Sequence, residues 1–174
     1  MSIAVRPART ADVAAIESLI EPFVTKRILL GKDAVVLYGS IQQFVVAENS
    51  VGDIVGCGAL HVLWRDLGEI RTVAVSESSR GQGVGKAVVT ALEYEARTLG
   101  LERLFCLTFE TEFFGHLGYS VIDEVGADTS MPSIVTPEVF AELARSHDEG
   151  VAEFLDLARV KPNTLGNTRM LKVL

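Results

Sequence analysis

The chain is poor in the residues that announce metal, redox or membrane chemistry. Of its 174 residues two are cysteine, three histidine, five proline and one tryptophan. Cys57 and Cys106 sit in the strand-like segments "VGCGAL" and "LFCLTF". Their separation matches no zinc or redox motif, so both read as small buried hydrophobes in a reducing compartment. His61, His116 and His147 are scattered without ligand spacing, and no metal is expected. No apolar run approaches the roughly 18 residues that cross a bilayer. The opening "MSIAVRPARTADVAAIE" has neither a basic start nor a long apolar stretch, which does not read as a signal peptide. A cytoplasmic protein is expected. There is also no run of Lys and Arg, and the net charge is −7. That balance argues against nucleic acid, whose binders present a basic surface. An anionic small molecule would have to be held locally, by helix ends and a few placed cations.

What is present is an ordinary globular composition, 48% hydrophobic and 22% charged, at the length of one domain. "SIAVRPA" reads as a strand, and "RTADVAAIESLIEPFV" as an amphipathic helix capped by Thr10, with Val13, Ile16, Leu19 and Ile20 on one face. "KRILLGKDAVVLYGSIQQ" reads as a second helical region broken near Gly31. "FVVAE", "IVGCGALHVLW" and "GEIRTVAV" read as consecutive strands, with a turn over 49–53 after the first. A glycine loop follows, then a helix from about Gly83 to Leu99 with Val84, Ala87, Val88, Ala91 and Leu92 inward. "ERLFCLTF" is a strand, "TEFFGHLG" a short helix, "YSVIDE" a strand, "PEVFAELARS" a helical patch and "TRMLKVL" a closing strand. Strands in succession in the middle and one βα unit give an α+β (mixed α/β) single domain with a mostly antiparallel, twisted sheet and helices on both faces.

The loop "RGQGVGK", residues 80–86, sets three glycines in alternation and ends on a lysine. A nucleotide P-loop would need glycine at 80 and a hydroxyl at 87, where the chain has Arg80 and Ala87. A dinucleotide fingerprint would need a third glycine at 86, which is Lys86. Glycines in a turn before a helix are common for structural reasons alone. Alternate glycines also let backbone N–H groups converge on an anion while the next helix aims its N-terminus at the same point. With Arg80 and Lys86 beside it, the loop reads as a pyrophosphate cradle that needs no metal.

The pattern Arg80-x-x-Gly83-x-Gly85, placed after "TVAV" and opening a long helix, resembles the acetyl-CoA motif of the GNAT acetyltransferases. "FFGHLGY" resembles that family's short helix after the fifth strand. The resemblance covers most of the chain to about residue 123. More narrowly, "GEIRTVAV" and the tail "GVAEFLDLARVKPNTLGNTRMLKVL" are similar to the short, stand-alone bacterial amino-acid N-acetyltransferases that make N-acetylglutamate. The resemblance implies one acetyltransferase domain over 1–174, a core of 1–123 and an extension of 124–174 that completes the sheet and the acceptor pocket. It implies acetyl-CoA as cosubstrate, with the cradle formed by Arg80, Gly81, Gln82, Gly83, Val84, Gly85 and Lys86 and the pantetheine arm along Val73, Ala74 and Val75. The reaction implied is acetyl transfer to the α-amine of L-glutamate, or of L-glutamine, at the entry to arginine synthesis. Expected partners are the amino acid, acetyl-CoA, arginine as a feedback inhibitor and a second copy in a homodimer, with no nucleic acid and no membrane.

Residue chemistry is consistent with that implication. Strand alternation puts Glu69, Arg71, Val73 and Val75 on one face of "GEIRTVAV". Charged side chains in a central strand are costly unless paired or used. A mutual ion pair is the bland account of Glu69 and Arg71. The functional account makes Glu69 the base that frees the attacking amine, with Glu110 and Glu112 in reserve, and Arg71 a clamp on a substrate carboxylate. Arg27, Lys161, Asn167 and Arg169 are further candidates for the amino acid, and Lys26 and Lys32 lie near the first of them. The Val73 backbone N–H is the candidate oxyanion donor. Phe114 stands where many family members have a tyrosine acid, and Tyr119 falls at a place that packs as a core aromatic. The rival readings are an acetyltransferase for another small amine or a protein N-terminus, and a non-catalytic acyl-CoA sensor.

Overall fold

The computed structural model describes residues 3–122, 134–155 and 167–174. These fall into two compact units, one of residues 1–61 and 70–99, the other of 62–69 and 100–174. Strands β3 (Ile54–Trp64) and β4 (Leu67–Val75) run through both.

In the first unit β1 (Ala4–Pro7) pairs antiparallel with β2 (Phe44–Glu48), and β2 antiparallel with β3. The strand order is β1-β2-β3-β4. Helices α1 (Val13–Thr25) and α2 (Ala34–Ser40) cover one face. Their Val13, Ile16, Ile20 and Leu37 form a core with Val46, Cys57, Ala59 and Ala74 of the sheet. The other face takes α3 (Val84–Thr98), and two glycines of β3 make room for it. A Cβ on Gly56 would stand 2.6 Å from a methyl of Val84, and one on Gly58 2.7 Å from a methyl of Val88. Such distances are well inside van der Waals contact, so the sheet must be bare there for the helix to seat.

Several local expectations change. Helix α1 begins at Val13, because Thr10–Asp12 forms a 3₁₀ turn and Asp12, not Thr10, anchors the start. The buried Asp12 carboxylate accepts from the Arg9 backbone N–H at 2.7 Å and from Arg6 at 2.7 and 3.0 Å. Arg6 also reaches Glu48, which ties β1, β2 and the turn together, and this guanidinium holds the Asp12 carboxyl below the usual range. The second helical region is shorter than the apolar pattern suggests. Lys26 to Asp33 is not helical, and Arg27 takes a left-handed φ of 58° that ends α1. On α3 the buried face is Val84, Val88, Val89, Leu92 and Ala96. Ala87 and Ala91 instead line a groove of about 770 Å³ together with Val5, Pro7 and Val45.

In the second unit the order is β3-β4-β5-β7-β6. Strand β7 (Thr168–Val173) lies between β5 (Arg103–Thr108) and β6 (Ser120–Val121), antiparallel to both. The closing strand is thus an interior one. Helix α4 (Thr111–His116) precedes β6, and α5 (Pro137–Leu143) and α6 (Glu149–Phe154) follow it. Both later helices have side-chain caps, Thr136 accepting from the Val139 N–H and Asp148 from that of Val151. Helix α6 was not expected from the sequence pattern. Its Phe154 packs edge-on against Phe105, and together with Leu67, Leu143 and Val151 they form this unit's core. Among the described residues of "YSVIDE", Tyr119 to Ile122, Ser120–Val121 is strand.

Among the described residues no helix is long and apolar enough to cross a membrane, and no three His, Cys, Asp or Glu side chains converge as a metal-holding group.

Candidate active site

The glycine loop is built as its sequence dictates. Strand β4 ends at Val75, a 3₁₀ turn spans Glu77–Ser79, and the chain passes through Arg80 to α3. Gly81 and Gly83 have left-handed φ angles of 73° and 81°. Neither would meet an atom within 4 Å if given a Cβ, so the backbone conformation alone selects glycine. Gly83 is the N-cap of α3 and has no side chain with which to cap it. The first-turn amides of Val84, Gly85 and Lys86 therefore receive no side-chain cap, and they sit at the positive end of a fifteen-residue helix. Exposed Arg80 and Lys86 flank this end, and neither makes an ion pair among the described residues. Unsatisfied N–H groups, a helix dipole and two uncommitted cations are the elements of a phosphate site. Gln82 helps to hold the shape of the loop. Its side-chain amide donates to the Ser78 carbonyl at 2.8 Å and closes the loop on itself.

The strand leading into the loop contains a feature that the pattern did not announce. Thr72 has a φ of 56°. For a β-branched residue inside a strand this is a strained conformation, costing about 1–3 kcal/mol, of the kind that gathers at functional sites. The departure is local: Ile70, Thr72 and Ala74 are buried and Arg71, Val73 and Val75 half-buried, so the burial alternation runs on through it. Ala74 points into the α1/α2 core and is 2% exposed, which leaves only its backbone for a ligand. Val73 and Val75 are half-buried, as is Arg71. Arg27 is exposed, at the turn that ends α1. No sequence signal could have flagged Thr72, because threonine is among the residues least suited to that conformation.

The remaining candidates lie in the second unit. Glu69 is 4% exposed, and its charge is felt at Cys106. Burial first, and Glu69 second, push the Cys106 thiol far above its ordinary range, so it stays protonated. A buried thiol held in its protonated form is a poor covalent nucleophile. Burial likewise pushes Cys57 up to about 12. Cys106 pairs with Met170 of β7, and Arg169, the next residue back, pairs with Leu107. Asn167 enters the same strand, and its buried Oδ1 accepts no hydrogen bond among the described residues. A buried acceptor without a donor is costly and points to a ligand N–H. Lys161 lies outside the described residues. Phe114 is buried between Phe113 and Tyr119, in edge-on contacts with ring centroids 5.1 and 5.2 Å away. Tyr119 is 3% exposed, and its ring packs in the core as expected. Glu110 and Glu112 flank the start of α4.

Comparison with known proteins places the chain in a family. The Acetyltransferase (GNAT) family matches residues 16–119. An amino-acid acetyltransferase of Mycobacterium tuberculosis is 55% identical over 98% of this chain and 94% of its own length. A Mycobacterium tuberculosis crystal structure in complex with CoA and NLQ superposes with a TM-score of 0.88 at 55% identity, over 98% of this chain and 99% of that one. An N-acetylglutamate synthase from Neisseria gonorrhoeae, complexed with coenzyme A and N-acetyl-glutamate, shares the fold at a TM-score of 0.75 and 23% identity, over all of this chain and 35% of that one. With its seven-stranded, mostly antiparallel sheet and its glycine cradle at the head of α3, the chain belongs to the GNAT acetyltransferase family.

Proposed function

We propose that the chain is an amino-acid N-acetyltransferase, acting as one domain, that moves the acetyl group of acetyl-CoA directly to the α-amine of L-glutamate or L-glutamine. The observation that carries the proposal is the cradle: two left-handed glycines, an uncapped helix N-terminus and two unpaired cations, with a metal-free donor set suited to the pyrophosphate of CoA. Its 55% identity to a protein named an amino-acid acetyltransferase supports an amino acid as acceptor.

Bound acetyl-CoA supplies an activated thioester; the chain supplies the rest. The amino acid arrives as an ammonium and has to lose a proton before it can attack. Glu69 is the base, acting directly or through one water. Arg71 and Arg169 provide guanidinium groups for the substrate carboxylates, and the orphaned Asn167 Oδ1 offers an acceptor for a substrate N–H. The Val73 N–H, just past the strained Thr72, is the donor proposed for the oxyanion. Phe114 has no hydroxyl, so the departing thiolate takes its proton from water. Entry to arginine synthesis, and arginine as an inhibitor competing for the same carboxylates and cations, follow from this reading.

Thiol release from acetyl-CoA against a panel of amino acids, polyamines and peptide N-termini tests it. Release with glutamate or glutamine is the expected result. Release with polyamines alone would make the protein an acetyltransferase for another amine. The absence of a tyrosine hydroxyl at Phe114 favours one further reading, an acyl-CoA sensor, and CoA binding without any thiol release would establish it.

A further inference from the structure

Arg80 poses a problem of control. It is exposed, on a flexible stem, and makes no ion pair among the described residues. An arginine that must meet a phosphate benefits from being held in place beforehand, since ordering it on binding costs rotamer freedom. A carboxylate partner would hold it and also neutralise it. An aromatic face holds it without taking its charge or its N–H donors.

Such a face is present within the first unit. The Arg80 guanidinium carbon stands 5.6 Å from the centre of the Phe23 ring. Phe23 is half-buried in the last turns of α1 and packs against the α1/α2 core. Its backbone is pinned as well, because its carbonyl accepts from the Ile28 N–H at 2.8 Å and the Leu29 N–H at 3.3 Å, in the turn that ends the helix. The ring thus has the α1/α2 core behind it and a pinned backbone beneath its stem, with the guanidinium over its face. Periodicity accounts for a hydrophobe at position 23; it does not account for a cation stacked on it. We infer that Phe23 is a positioning residue for cofactor binding, an aromatic rest that pre-places Arg80 for the pyrophosphate of CoA while leaving its charge free.

This rests on the cradle being the CoA site, and the test separates the two. CoA affinity by titration calorimetry, and KM for acetyl-CoA and for the amino acid, are measured in Phe23→Leu, Phe23→Trp, Arg80→Ala and the Phe23→Leu/Arg80→Ala pair. Arg80→Ala is expected to weaken CoA about ten-fold, the loss of one charge-assisted contact. Phe23→Leu is expected to weaken it about three-fold, as for an exposed cation–π contact, with kcat and the amino-acid KM unmoved. Phe23→Trp, a better face for a cation, is expected to match or tighten the parent. In the Arg80→Ala background Phe23→Leu should add nothing. A Phe23→Leu effect of the same size with and without Arg80 would reduce Phe23 to packing and overturn the inference. So would an unchanged affinity in Phe23→Leu, or, should that variant fail to fold, a weakening in a folded Phe23→Trp. An Arg80→Ala protein that binds CoA as the parent does would bring down the cradle reading itself.

Discussion

The cofactor cradle and the acceptor residues are made of different material. The cradle is seven consecutive residues, 80–86, and works through its backbone: φ angles only glycine takes easily, and amides left open by a cap without a side chain. The acceptor candidates are side chains from separate strands, Glu69 and Arg71 on β4, Asn167 and Arg169 at β7. A backbone site should fail on a change of conformation that removes no side chain, beside whatever its Arg80 and Lys86 cations contribute. A side-chain site should fail on loss of its functional groups while the backbone stays as it is. Mutations that violate this contrast would break it.

The largest effect is expected at Glu69. Removing a general base costs about 10²–10⁴-fold in rate. Glu69→Gln, which keeps the shape and removes the basicity, should therefore lose activity by about that factor while CoA affinity stays near the parent value. A loss of CoA affinity alongside would show that Glu69 supports the fold and not the proton transfer. Next comes Arg71→Ala, where a charge-assisted contact to a carboxylate is lost. Its amino-acid KM should rise by about 30-fold, with the acetyl-CoA KM within two-fold. Equal increases in both would make Arg71 a structural residue of the strand.

The cradle should answer to conformation instead. Gly83→Ala forces an L-residue into the left-handed region at a cost of about 1–2 kcal/mol, which the free loop sheds by relaxing and must take up again to hold CoA, so up to a roughly ten-fold loss of CoA affinity is expected. No side-chain clash confuses the result, because the new methyl would meet nothing within 4 Å. Gly39→Ala in α2 is the control. That methyl also meets nothing within 4 Å, and its φ is ordinary, so helix propensity alone should raise stability by up to about 1 kcal/mol with no change in CoA binding. Melting temperature and calorimetry on the two variants decide it.

The same contrast explains what the sequence made legible. The cradle could be read because its determinants are local: glycine at 81 and 83, a helix starting directly after the second of them, and residues at 80, 86 and 87 that exclude the other phosphate loops. The order of strands up to β5 could be read for the same reason. Acceptor residues could be named but not arranged, since nothing local says that β7 inserts between β5 and β6, bringing Arg169 opposite Leu107. Helix α6 escaped because its six residues fall short of two turns, and tertiary contacts of Phe154 and Val151 hold it. Thr72 escaped because threonine disfavours the left-handed conformation it takes there, while the burial alternation of β4 runs on through it.

Cys106 gives the smallest effect and the sharpest limit on acceptor-side chemistry. Its thiol is near enough to Glu69 to feel that carboxylate's charge, and an acetyl-enzyme route would need it as the nucleophile. The same carboxylate and the burial around it disfavour the thiolate, and only the thiolate attacks a thioester at a useful rate. In the proposed reaction Glu69 therefore acts on the substrate amine and not on the cysteine. Cys106→Ala should then keep kcat within about two-fold, since no catalytic group is lost, while the small cavity lowers the melting temperature by a few degrees. Initial-rate patterns should be sequential, with both substrates bound before CoA leaves. A ping-pong pattern, or a folded Cys106→Ala enzyme without activity, would move the nucleophile onto the protein and leave Glu69 acting on the thiol and not on the amino acid.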